Sequence, residues 1–107
     1  MISFEEFKQL DLQVGTILEV NEHPNADKLV KLSADIGEQE PIQLVAGVKG
    51  YYDNEELEGK QIVILTNMEP ATIRGERSEG MLLAATTEQD VALIGPDQEV
   101  PAGTSIE

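Results

Sequence analysis

The chain has no cysteine, no tryptophan, one histidine and only four aromatic residues. Without cysteine there is no disulfide, no thiolate nucleophile and no Cys-ligated zinc. The single histidine, His23, excludes a multi-His metal site. No apolar run approaches the roughly 18 residues that a membrane-spanning helix needs. The first residues, Met1-Ile2-Ser3-Phe4-Glu5-Glu6, lack the apolar centre of a signal peptide. Basic residues are scarce: 7 Lys and Arg stand against 21 Asp and Glu, a net charge of −14. That charge opposes nonspecific attachment to nucleic acid or anionic lipid, because both are polyanions. These absences predict an intracellular, cytoplasmic protein with no membrane partner, no metal and no cofactor. The leading Met1 favours a whole protein over an excised domain.

What is present is a foldable chain. Apolar residues make up 40% of it, too many for a disordered acidic tail. Its 107 residues predict one domain, burying roughly two-thirds of the unfolded surface. Ser3 followed by Glu6 fits a capping box, predicting a short helix over 3–10 with Phe4, Phe7 and Leu10 on one face. From Asp11 the period changes to two. Leu12, Val14, Thr16, Leu18 and Val20 alternate with the other residues, predicting a strand that buries that set. Gly15 within it predicts a bend or a close backbone approach. Residues 22–28 read as a loop broken by Pro24. Val30, Leu32, Ala34 and Ile36 predict a second strand, and Ile42, Leu44 and Ala46 a third. Residues 51–59 can hold one or two helical turns, with Asp53 or Asn54 as the cap. Residues 61–66 are apolar on both faces, as in a central strand. Residues 67–77 read as a long connection, 81–87 as a fifth strand and 91–94 as a sixth. This pattern predicts an all-β class, a small antiparallel barrel.

No catalytic set is apparent. Ser78 lies in Gly75-Glu-Arg-Ser-Glu-Gly80, which does not match a nucleophile elbow. Position 54 is Asn and Lys60 is followed by Gln61, so there is no P-loop. His23, in a loop before Pro24, reads as structural, making one hydrogen bond. Asp53, Glu55, Glu56 and Glu58 do not follow the spacing of an EF-hand and read as a solvated face. Tyr51 and Tyr52 suit either a stacking platform or the core. Lys28, Lys31, Arg74 and Arg77 are the best cationic candidates. After Arg77 there is no further Lys or Arg, so any positive patch is local.

Three segments together resemble one family. They are Asp11-Leu-Gln-Val-Gly-Thr-Ile17 with His23-Pro-Asn-Ala-Asp-Lys-Leu29; Gly47 with Glu55-Glu-Leu-Glu-Gly-Lys60; and Asn67-Met-Glu-Pro70, Arg74-Gly75 and Ser78-Glu-Gly-Met-Leu-Leu-Ala-Ala85. In order and spacing they resemble the tRNA-binding domain of the endothelial-monocyte-activating-polypeptide type. That domain occurs at the C-terminus of many methionyl-tRNA synthetases, as free-standing tRNA-binding proteins and as the CsaA-type chaperone.

The resemblance implies an OB-fold, a five-stranded barrel over about 11–87. It implies a homodimer built from the N-terminal helix, 3–10, and the tail, 88–107, with Phe4 and Phe7 at the seam. It implies an RNA face with Ser78 on a phosphate or base edge and Met81 against a base or ribose. Met81 packed in the core is the competing reading. Asn25, Lys28, Arg74 and Arg77 join that face, and Asp27 braces their loop. The expected function is non-catalytic, structure-specific binding of tRNA, as an accessory or β-subunit-like domain of methionyl-tRNA synthetase. The alternative is a CsaA-like chaperone or protein-interaction module that has lost most RNA affinity. It rests on the departures from the family: Gln13 and Ile42 stand where Arg is frequent, Ala46 where Ser is common, and Glu69, Ala71 and Thr72 replace a basic cluster.

Overall fold

The computed structural model describes all residues, 1–107. The elements in chain order are α1 (Phe4–Phe7), β1 (Leu12–Glu22), β2 (Val30–Asp35), β3 (Ile42–Ala46), α2 (Asn54–Leu57) and β4 (Gln61–Leu65). The short strands β5 (Ala71–Ile73), β6 (Glu76–Ser78), β7 (Met81–Leu82), β8 (Ala84–Thr86) and β9 (Val91–Leu93) follow. Strands β3-β2-β1-β4-β7 form one antiparallel sheet that curls into a nearly closed barrel. Hydrogen bonds between Gln43 on β3 and Glu79 between β6 and β7 complete the closure. The Glu79 amide donates to the Gln43 carbonyl at 2.8 Å, and the Gln43 amide donates to Glu79 Oε2 at 2.8 Å.

The capping box forms as predicted, with Ser3 Oγ accepting from the Glu6 amide and Glu6 Oε1 from the Ser3 amide, each at 3.1 Å. The helix it starts is a single turn, shorter than 3–10. At the second helix, Asp53 caps α2 and its amide donates to Glu56 Oε1 at 2.9 Å. That turn delivers Leu57, fully buried, into the core.

The predicted alternation of the first strand fails at its middle. The register of β1 against β2 shifts between Ile17 and Glu19, a bulge at Leu18. Ile17 and Val20 therefore enter the core, while Leu18 is 48% exposed. Gly15 does make the predicted close approach, since a Cβ there would collide with the Ile64 side chain. Strand β2 ends at Asp35, one residue short of the prediction, but the predicted face holds: Val30, Leu32, Ala34 and Ile36 all belong to the core, joined by Leu44, Ala46, Ile62 and Ile64. On β4 both faces are buried, Ile62 and Ile64 within the core and Val63 on the opposite side.

Two further expectations need correction. The connection over 67–77 contains the hairpin β5–β6, turned by Arg74 at φ 54° and Gly75 at φ 92°. Two consecutive positive φ values mark a type I′ turn. The fifth strand, predicted over 81–87, breaks at Leu83. Strand β7 stays on the barrel beside β4, whereas β8 leaves it to pair with β9.

The tail returns to the barrel. The side chain of Gln61 holds Val100 from both sides, Nε2 donating to its carbonyl at 2.6 Å and Oε1 accepting from its amide at 3.1 Å. The Gly103 amide donates to the Val14 carbonyl, the Val14 amide to the Thr104 carbonyl, and the Ile106 amide to the Leu12 carbonyl. These bonds fill the part of β1 before Thr16, where pairing with β2 begins. No helix is long and apolar enough to cross a membrane.

Candidate nucleic-acid interface

The loop after β1 and the β5–β6 hairpin form one unit. His23 is buried. Its Nε2–H donates to the Ile73 carbonyl at 2.9 Å, and its Nδ1 accepts from the Asn25 amide at 3.0 Å. Only the neutral ring protonated at Nε2 serves both partners. The predicted structural role stands, with two hydrogen bonds rather than one. The Asn25 side chain then donates to the Arg74 carbonyl at 3.2 Å, so the loop holds the hairpin at its turn. An ion pair at 3.1 Å between Lys31 and Glu76 ties the hairpin to β2.

Most basic groups are already engaged. Lys49 pairs with Glu22 at 3.2 Å, and Arg77 lies 3.9 Å from Glu79. Lys8 sits over the Phe4 ring and Lys60 over that of Tyr52. Lys28 and Arg74 have neither an ion pair nor a ring contact. Both are exposed, Lys28 on the loop and Arg74 at the turn that the loop holds. Elsewhere on the outer sheet, Glu19, Asn21, Lys31, Ser33, Gln43 and Glu79 line a polar groove. Its one lysine is the partner of Glu76. Of the predicted contact residues, Asn25 and Arg74 meet at the hairpin turn, Lys28 lies three residues further along the same loop, and Arg77 sits on β6 beside Glu79.

Ser78 is placed differently. It is 5% exposed, and its hydroxyl is used twice within the chain. It accepts from the Val45 amide and donates to the Gly80 carbonyl, each at 3.0 Å. Ser78 thus ties β6 to β3 and to the Gly80 backbone. Met81 is 51% exposed, which removes the core reading. Tyr52 packs on the core and its hydroxyl accepts from the Leu93 amide at 3.1 Å, whereas Tyr51 is half exposed. Asp53, Glu55, Glu56 and Glu58 are exposed, as a solvated face should be.

Beside the hairpin lies an apolar pocket of about 370 Å³. Ile73, Ala71 and Ser78 form its hairpin wall, Val45, Ala46 and Gly47 the β3 wall, and Gly80, Met81 and Leu82 the β7 wall; Met68 and Glu69 complete it. Met68 and Glu69 lie within the Asn67–Pro70 segment that carries the resemblance but are not among the predicted contact residues. The available signal was a second methionine near Met81 in a chain with three, a residue type suited to adaptable binding surfaces.

A family model described as putative tRNA binding domain matches residues 12–105. The methionine–tRNA ligase of Thermococcus kodakarensis is 54% identical over 105 residues, 98% of this chain. That of Methanothrix thermoacetophila is 50% identical over 106 residues, 99% of this chain. The chain spans 14% and 16% of the length of those two ligases. Among solved structures, the chain is similar to the chaperone CsaA of Bacillus anthracis, with a TM-score of 0.89 at 37% identity, covering 100% of this chain and 99% of that one. It is also similar to a MetRS-related protein of Pyrococcus horikoshii, with a TM-score of 0.90 at 33% identity, covering 100% and 98%.

Proposed function

The chain belongs to the tRNA-binding domain family, and from that premise we propose that it is a non-catalytic module that binds tRNA by shape and backbone. It works in the cytoplasm as a homodimer and presents tRNA to a methionyl-tRNA synthetase, as an accessory or β-subunit-like part. The observation that carries this reading is the pair of unengaged cations, Lys28 and Arg74, on one braced loop–hairpin unit of an otherwise acidic molecule. Both nitrogens of the one histidine are occupied by backbone groups, which supports a role without acid–base chemistry. The exposed Ile2, Phe4 and Leu10 support a dimer seam at the N-terminal helix.

Few cations imply a shallow salt dependence. Each phosphate contact contributes a slope of about −0.7 to −0.9 in log K against log salt. The test is fluorescence anisotropy with unfractionated tRNA, from low to physiological salt, on the wild type and on a Lys28→Ala/Arg74→Ala variant. The expected result is binding by the wild type and a slope shallower by roughly 1.5 in the variant. A folded wild type that binds no tRNA at any salt would sink the proposal. The second reading, a chaperone-type module for apolar peptide segments, is favoured by the apolar pocket and the net charge of −14. Peptide-array binding above background, without tRNA binding, would favour it.

A further inference from the structure

We propose that the pocket beside the hairpin takes one unstacked RNA base and that Glu69 reads its edge, with a preference for guanine. This inference rests on the tRNA reading and sharpens it. The pocket, about 370 Å³, is at the small end of ligand sites, which run from roughly 300 to 1,000 Å³. It suits a single flat ring system. Aromatic stacking is not on offer there, because no Phe or Tyr lines it. Met68 and Met81, each about half exposed, supply polarizable thioethers that pack against a ring instead.

The charge arrangement selects a nucleotide over an apolar peptide side chain. The hairpin that forms one wall through Ala71, Ile73 and Ser78 carries the unengaged Arg74 at its turn and Arg77 on its outer face. A base within the pocket therefore leaves its phosphate beside a hairpin whose turn carries one unpaired cation, Arg74, next to the lining residue Ile73. Glu69 is the single charged residue lining the pocket, and it has no hydrogen bond or ion pair within the chain. An anion there repels a phosphate and turns the base inward.

A carboxylate accepts and never donates when ionised. Guanine presents two adjacent donors, N1–H and the N2 amine, matching its two oxygens. Adenine and cytosine each offer one amine beside a ring nitrogen lone pair, which repels the second oxygen. Uracil offers one N–H between two carbonyls. A good bidentate pair discriminates by roughly tenfold or more.

The test is NMR on protein carrying ¹³C-labelled methionine methyl groups, titrated at low salt with each of the four nucleoside 5′-monophosphates. Guanosine monophosphate should shift the Met68 and Met81 methyls while leaving Met1 unmoved, about tenfold more tightly than uridine monophosphate. Glu69→Gln, an exposed change that the fold tolerates, should retain nucleotide binding and lose most of the preference. Equal affinity for all four nucleotides, or no shift at Met68 and Met81, overturns the proposal. In that case the anisotropy assay with tRNA separates the two readings. Retained tRNA binding means that only base capture fails, and lost tRNA binding means that both fail. Methyl shifts produced by an apolar peptide, with none from any nucleotide, also overturn it and assign the pocket to protein.

Discussion

The imidazole of His23 is joined to the carbonyl of Ile73 by a 2.9 Å hydrogen bond across fifty residues of sequence. It is the link through which the loop after β1 fixes the hairpin that carries Arg74. A buried side chain therefore helps to place the turn that carries Arg74.

His23→Ala should leave the Ile73 carbonyl and the Asn25 amide without partners. An unsatisfied buried group costs about 1–3 kcal/mol; both bonds are part-buried and water can reach the freed groups, so a total loss of about 1–3 kcal/mol is expected in urea unfolding. Affinity for tRNA should fall as well. His23→Gln, which keeps a donor and an acceptor, should recover part of the stability. An unchanged unfolding midpoint in His23→Ala would refute the bracing role.

Arg74 combines a charge with a left-handed backbone, φ 54°. Arg74→Gly should keep the turn with no loss of stability while lowering the salt slope of tRNA binding by about 0.7–0.9. Arg74→Val places a β-branched residue at positive φ and should destabilise by about 1–3 kcal/mol. The two variants, compared by thermal unfolding and anisotropy, separate charge from backbone.

Ser78→Ala should act on the barrel and not on a ligand contact. It strands the Val45 amide, at a cost of about 1–3 kcal/mol. Amide exchange at Val45 should accelerate more than at Leu32. Weaker tRNA binding with full stability would show that the hydroxyl contacts RNA after all.

Legibility in the sequence followed the range of the interactions. The α1 and α2 caps and the β2 alternation depend on neighbours within a few residues, and Ser3, Asp53 and Val30 announced them. The β1 alternation misled because a bulge at Leu18 is a tertiary event, visible only against β2. The β5–β6 hairpin was missed because its strands are three residues long and its turn opens with Arg74 rather than Asn or Gly. At the site, the charges at Lys28, Arg74 and Arg77 were legible as types. Their engagement was not, since Glu79 lies beside Arg77 across the end of a strand and Lys31 meets Glu76 from a distant one. Ser78 carried a motif, but the motif did not reveal that its hydroxyl bonds the Val45 amide and the Gly80 carbonyl.

Phe4 is 70% exposed and supports no intrachain core. Phe4→Glu should leave the protomer folded and convert a dimer to a monomer in sedimentation velocity. A wild type that sediments as a monomer at all concentrations would end the dimer proposal.

Gly103 sits at φ 89°, and a Cβ there would collide with the Ile36 carbonyl. Gly103→Ala should detach the tail from β1, exposing residues 99–107 to limited proteolysis. Protease resistance equal to that of the wild type would show that the docking is looser than its hydrogen bonds imply.

That docking also orders events during synthesis. Leu12 and Val14 are made about ninety residues before the tail, yet their remaining backbone partners are Gly103, Thr104 and Ile106. An emerging chain can zip β1 to β2 locally but cannot finish its first strand until the tail is free of the exit tunnel. High contact order of this kind slows folding. Until the tail arrives, the nascent barrel presents an open edge, and a chaperone or a neighbouring copy has its best opportunity to bind there.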